Sequence, residues 1–387
     1  MDTLLELSGR GHEVHLRTRA ADVDRLRALG LHVAAVDQRI EDNELDDWKA
    51  RTQIDAMRRI GRWSEANHPF EIADMTRAID EVRPDALVVA VQAEGAGYVA
   101  EASGFAWATY CPYPPPFPSV DAPPHGVGWR PARGPVGRAR DRIFHKIVVR
   151  LAAPHVAARN QVRARLGLSP LRRFEDQWRK ADRYIAFTAE PYEYPRSDWP
   201  ASVRLVGPGL WEPPADAPSW LDAEKRPIVL VTTSTAYQAD ARLIATALEA
   251  FAGEDVALLA TSAANDSAFT VPANARVEPF LPHGPIIARA ACVVSHGGQG
   301  TTQRALAAGV PVCVVPFCRD QFDVARRVEV AGAGVRLHHK RLSAKRLRAA
   351  VHEAIGKRGE AERVARGYTD AGGPSAAADA VEELIPA

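Results

Sequence analysis

Cysteine is scarce in this chain. Cys111, Cys292, Cys313 and Cys318 are the only four in 387 residues, too few and too scattered for a disulfide framework. No C-x-x-C pair is present, so no zinc site is expected. An excess of one charge is also lacking: 49 Lys and Arg stand against 48 Asp and Glu, a formal net charge of +1, whereas a dedicated nucleic-acid binder carries a clear basic surplus. No apolar run approaches the length of a bilayer span and no signal-peptide pattern opens the sequence, so a cytoplasmic protein is the expectation. What is there, 46% hydrophobic and 25% charged residues, is an ordinary globular balance. At about 100–200 residues per domain the length allows two or three domains.

The second half of the sequence reads clearly. β-branched apolar runs at 228–233, 256–261, 291–295 and 310–317 alternate with helical patterns such as 240–251, where Leu243, Ala247, Leu248 and Phe251 share a face. Continuous apolar strands between amphipathic helices predict a parallel sheet covered on both faces, a doubly wound α/β domain. In the first half, strands are expected at 12–17, 31–36, 85–91, 105–110 and 184–188, with a helix at 71–82. Nine prolines between 111 and 135 exclude regular structure there and predict a long surface loop. A second Pro-dense stretch, 207–227, reads as the link between the halves. The expected organisation is thus an N-terminal domain 1–206, a linker 207–227, a C-terminal domain 228–370 and a terminal segment 371–387 whose helix packs back on the first domain.

The start is unusual. Residues 2–8 read as a helix stopped by Gly9 and Gly11, and a strand follows. A doubly wound domain opens with a strand that takes the centre of its sheet. The first strand and its loop, roughly 15–20 residues, are therefore expected to be missing, through a start placed too late or through natural loss. The chain as given is expected to pair a folded second domain with an unstable first one.

The most informative segment is Ser295-His296-Gly297-Gly298-Gln299-Gly300-Thr301-Thr302, directly after a buried strand. Its glycines allow a tight turn with backbone N–H groups close to a ligand. The following helix points its positive end at the turn, with His and Thr donors beside it. An anion, most simply a diphosphate, suits this arrangement; on turn chemistry alone a Gly-rich turn with a capping Thr is an equal reading. The next strand ends at Asp320-Gln321, an acid and an amide suited to hydroxyl groups on the ligand side of such a sheet. Diphosphate donors and hydroxyl readers one αβ unit apart describe a sugar nucleotide.

Residues 296–334 resemble the donor-binding signature of the GT-B nucleotide-sugar glycosyltransferases, most closely the actinobacterial macrolide- and antibiotic-type branch of the UDP-glycosyltransferase family. Phe280-Leu281-Pro282-His283 is similar to the strand end that reads the base, and Val231-Thr232-Thr233-Ser234-Thr235 to the loop near the phosphates. The resemblance implies two Rossmann-like domains facing across a cleft and inverting transfer of a hexose to a hydroxyl of a small apolar natural product. His296, Gly298, Gly300, Thr301, Ser234 and Thr235 would hold the diphosphate, Leu281 and His283 the base, and Asp320 and Gln321 the sugar. No metal is expected, because helix dipole, His and Thr serve the diphosphate and no DxD-type cluster is present. Arg304 stands where the family commonly places a ribose-reading Glu; since Arg accepts no hydroxyl proton, the donor leans towards a dTDP-sugar over a UDP-sugar.

The family's catalytic His lies in the loop after the first strand, the part expected to be missing, so the chain as given is expected to lack turnover; Ala90 stands where its orienting Asp belongs. The catalytic base is therefore unassigned. Glu94 is a weak surrogate, read rather as an exposed loop carboxylate. Tyr113, Phe117 and Trp129 in the Pro-rich loop are expected to line an apolar acceptor pocket, and His125 to be structural or exposed. Arg138, Arg142, Lys146 and Arg150 fall four apart; a solvated helix face is the expectation there, and peripheral membrane contact is not. A homodimer is left open. Two other readings remain: a non-catalytic auxiliary homologue that partners a second transferase, and, less favoured, a sugar-nucleotide epimerase.

Overall fold

The computed structural model describes residues 1–50, 52–234, 240–262 and 269–385. Helix α1 (Asp2–Gly9) leads into two parallel strands, β1 (His15–Thr18) and β2 (His32–Ala35), which pair with each other alone. Short helices α2 (Val23–Arg27) and α3 (Gln38–Asp42) accompany them. A separate four-stranded parallel sheet follows, ordered β3 (Ala86–Ala90), β4 (Ala106–Cys111), β5 (Arg183–Ala186), β6 (Val203–Leu205). Among the described residues β1 and β3 each keep one edge without a partner strand.

Three helices build the rest of this half: α4 (Gln53–Val82), α5 (Glu94–Ser103) and α6 (Pro135–Arg165). The sequence marks only the second part of α4. Its first part hides behind Pro69, which interrupts a helical pattern without ending the helix. The Thr52 side chain caps the start by accepting from the Asp55 N–H at 3.1 Å. Helices α4 and α5 approach closely at Gly95, where a Cβ would stand 2.7 Å from the His68 carbonyl oxygen.

The second half is one six-stranded parallel sheet, with β7 (Ile228–Thr232), β8 (Ala257–Thr261), β9 (Ala275–Glu278), β10 (Ala290–Ser295), β11 (Val312–Val314) and β12 (Gly334–Arg336). Its order is β12-β11-β10-β7-β8-β9, so β7 is central and the direction of winding reverses between β7 and β10. Every residue of β7 and β8 is buried. Alternate side chains enter two layers: Ile228 and Leu230 pack with Leu306 and Val328, and Val229 and Val231 with Leu243, Phe251 and Leu347. Each such side chain contributes about 1.5–3 kcal/mol. The covering helices are α7 (Ala241–Phe251), α8 (His283–Ile287), α9 (Gln299–Ala307), α10 (Gln321–Val330), α11 (Ala344–Ile355) and α12 (Arg358–Asp370).

Two crossings lock the halves together. Beyond β5 the chain enters the core of the second half, placing Ala189 and Tyr192 beside Leu230 and Val312. Buried Glu193 there accepts from Arg327 at 2.8 and 2.9 Å and from Arg196 at 2.9 Å. In return, α13 (Gly373–Glu382) packs Ala377 and Val381 against Leu7, Ala108 and Ile185.

Candidate functional site

Strand β10 ends at Ser295, and the chain must turn sharply into α9. Gly297 makes the turn at φ +100°, where a Cβ would meet Gln321 at 3.0 Å; at Gly298 a Cβ would stand 2.7 Å from the His296 ring. The Ser295 hydroxyl accepts the Gly297 N–H at 3.0 Å. Helix α9 then opens with Gly298 as N-cap and no side chain capping it, so its first-turn N–H groups face the cleft end of the sheet. At Gly300 a Cβ would meet nothing within 4 Å.

Three observations set this turn apart. His296 is buried, and its Nδ1 has no hydrogen-bond partner among the described residues. Burial pushes the imidazole below its ordinary pKa, offset in part by Asp240 and by the backbone of Thr232. Both polar atoms of the Gln299 amide are also buried without a partner among the described residues, which in a folded protein calls for a further polar group at this turn.

The surrounding residues frame the turn. Ser234, at the end of β7, is buried and donates its N–H to Asp240 at 2.7 Å; Thr235 lies outside the described residues. Burial raises the Asp320 carboxyl above its usual range, partly offset by His125 nearby. The Gln321 Oε1 accepts from the N–H groups of Phe317 and Cys318 at 2.8 and 3.0 Å, so its carbonyl end fixes the loop rather than facing a sugar. Leu281 is part of the core, while Phe280 beside it is 63% exposed. His283 lies 3.3 Å from the Thr261 hydroxyl, and burial lowers its pKa.

Arg304 is tied to the linker. It donates to the Trp211 carbonyl at 2.9 Å and lies 3.7 Å from Glu212, whose oxygens accept the N–H groups of His283 and Gly284. Sequence reasoning missed Glu212, a carboxylate beside Arg304. Its partner lies 92 positions away, out of reach of any local pattern.

The Pro-rich segment corrects another expectation. It has no helix or strand, yet Pro114 to Phe117 are buried, and its far end docks on α10. Asp323, itself buried, accepts the N–H groups of Gly126 and Gly128 at 2.6 and 2.7 Å, and His125 Nδ1 lies 3.4 Å from it. The expected aromatic pocket is not assembled. Phe117 packs against Tyr184, Trp178 and Trp199, and Trp129 is held between Phe144 and Arg140. Tyr113 lies apart from both, 6.2 Å from the His125 ring. A further clamp across the cleft joins Arg319, in a left-handed conformation at φ 51°, to buried Asp47.

Glu94 is not an exposed loop carboxylate. It opens α5 with its side chain 10% exposed, 2.8 Å from Arg159 Nε and 3.1 Å from His68. Burial alone would raise its pKa, but His68 and Arg159 hold it down at about 2, too weak a base to take a hydroxyl proton. Among the described residues, the one group of His, Cys, Asp and Glu close enough to share an ion is exposed Glu13, His15 and His32, at β1 and β2, away from the turn 296–301.

Known proteins agree with this architecture. Residues 242–384 match the family of the erythromycin biosynthesis protein CIII-like C-terminal domain. The chain is 36% identical over 295 residues to 4'-demethylrebeccamycin synthase of Lentzea aerocolonigenes, covering 74% of this chain and 69% of that protein. The crystal structure of the kitacinnamycin glycotransferase superposes with a TM-score of 0.78 at 20% identity, over 100% of this chain and 94% of the other. The glycosyltransferase VinC in complex with dTDP gives 0.70 at 20% identity, over 99% and 94%. With this sequence match, parallel α/β sheets in both halves and a Gly-rich turn at the switch point of the second, the chain belongs to the GT-B nucleotide-sugar glycosyltransferases of the antibiotic-type, erythromycin-CIII-like family.

Proposed function

We propose that this glycosyltransferase moves a hexose from a dTDP- or UDP-sugar to a hydroxyl of a small apolar natural product, with inversion, in the cytoplasm. The observation that carries the reading is the turn 296–301, where, among the described residues, a buried imidazole nitrogen has no partner and no side chain caps the first turn of α9. The diphosphate would sit there against His296, Gly298, Gly300 and Thr301, with Ser234 across from it. Asp320 would accept sugar hydroxyls, and exposed Phe280 would stack on the base. Glu212 offers the ribose a carboxylate, so either nucleotide is compatible with this end of the site; VinC, a structural neighbour, was solved with dTDP.

For the acceptor proton, the best-placed group among the described residues is His125, oriented by Asp323 as a buried acid orients a catalytic imidazole. The acceptor oxygen forms its bond to the anomeric carbon as its proton passes to His125. The bond to the phosphate oxygen breaks, and the nucleoside diphosphate leaves with the electron pair, its charge met by the α9 N–H groups and His296. Because Asp323 belongs to the donor half and His125 to the other, this base is complete only when the two halves are together.

Calorimetry with dTDP and UDP tests the seat. His296→Ala and Asp320→Ala, the latter with the intact sugar nucleotide, are each expected to weaken binding roughly 10–100-fold, as for a lost hydrogen bond to a charged group. Unchanged affinity in both would sink the assignment. Ala90 at the end of β3 keeps the auxiliary-protein reading in view; tight donor binding with turnover only beside a second transferase would favour it.

A further inference from the structure

Helix α6 carries an outward face that its own half does not cover. Ile143, Ile147 and Leu151, spaced four apart on one side, are 61%, 49% and 42% exposed, and Val136, two turns earlier, is 83% exposed. Buried neighbours are absent from this stripe although the adjacent row is packed, with Phe144 against Trp129. Arg138, Arg142, Lys146 and Arg150 form a parallel row of exposed cations. None of the four has an ion-pair partner among the described residues. The one acid of the helix, Asp141, is taken by Arg140 at 2.7 Å, and His145 faces Glu175 on the packed side. Asp121 is the acid whose field reaches Arg138.

A solvated face does not need three aliphatic side chains in line, and a protein partner would not require an uninterrupted row of unpaired cations. We propose that the first half of α6 is a docking surface for an anionic lipid bilayer. The aliphatic row enters the headgroup boundary, while the cations lie level with the lipid phosphates on their flexible stems. No helix among the described residues is long and apolar enough to cross a membrane, so the contact is peripheral. Trp129, held by Phe144 and Arg140, ties the Pro-rich loop to this helix. Docking therefore brings the loop that bears His125 to the lipid surface.

Vesicle flotation with the full chain tests the surface without using sugar transfer. Retention is expected on vesicles of phosphatidylcholine and phosphatidylglycerol in equal parts, with little on phosphatidylcholine alone, and it should fall as salt is raised. Each Lys or Arg at an anionic surface is worth roughly a fivefold gain in partition, so Arg142→Gln with Lys146→Gln should weaken retention about 25-fold. Ile143→Ser with Ile147→Ser should abolish it at unchanged Tm. Equal retention of both double variants, or no retention of the parent chain on anionic vesicles, overturns the proposal. So does a dimer in gel filtration that the serine variant splits, since a second copy would then cover the face.

Discussion

The two halves of this molecule use the same architecture and are held together by different physics. In the second half, β7 and β8 are buried along their whole length between two apolar layers. In the first half the strands are divided between two sheets, and the pattern is broken by exposed positions such as Val88 on β3, 38% accessible. Order there depends on charge networks that join its helices and β1: Glu94 with His68 and Arg159, Arg163 with Glu101, and Arg17 with Asp74. It also depends on the other half, through Glu193 and α13. The difference teaches that a wound domain can be stabilised by its neighbour as well as by its own sheet.

The strongest way to break this comparison is to cut the joint. Glu193→Ala leaves Arg327 and Arg196 buried without their anion, and a loss of about 3–5 kcal/mol is expected. Differential scanning calorimetry should then show the first half melting ahead of the second; a single unchanged transition would mean that the halves do not depend on this contact.

Within the first half, Glu94→Gln is expected to cost about 3 kcal/mol at neutral pH by breaking the buried pair with Arg159. The sign with pH is fixed. The folded pKa of about 2 lies below the ordinary 4.5, so the stabilisation is present above pH 4.5 and is lost as pH falls through 2. Acid melting curves of parent and variant should converge over that window.

Glu71 sharpens the contrast in the opposite direction. Burial pushes its carboxyl up to about 8, although it accepts the Gly95 N–H at 2.7 Å and so anchors the start of α5. Ionisation then opposes folding between pH 4.5 and 8. Glu71→Gln keeps an acceptor and should gain more than about 1 kcal/mol at pH 8 with no gain at pH 4, read from Tm at the two values. The smallest effect is expected at Val88→Thr, within about 0.5 kcal/mol in urea unfolding because the side chain is already half in water. A large loss there would mean that this face of β3 is covered in solution.

The same contrast governs what the sequence revealed. β7, β8 and β10 were legible because a strand buried on both faces must be apolar throughout. β6, β9 and β12 were not: three or four half-exposed residues such as Val203-Arg204-Leu205 carry no period. β11 proved shorter than its apolar run, because Val310 and Val315 pack outside the ladder. The turn at 296–301 stood out because glycine, histidine and threonine are needed side by side. The surroundings of Glu94 were hidden, since its partners His68 and Arg159 lie 26 and 65 positions away. The Asp323–His125 contact spans both halves and leaves no local trace.

The central claim is that the donor binds in the second half, on the first turn of α9 between the ends of β7 and β10. Hydrogen–deuterium exchange with and without dTDP or UDP tests it most directly. Binding at this turn predicts slowed exchange of the backbone amides of residues 298–302, with the β3–β6 sheet unchanged, and no such protection in His296→Ala. Nucleotide-dependent protection confined to the first half, or an identical pattern in the variant, would contradict it.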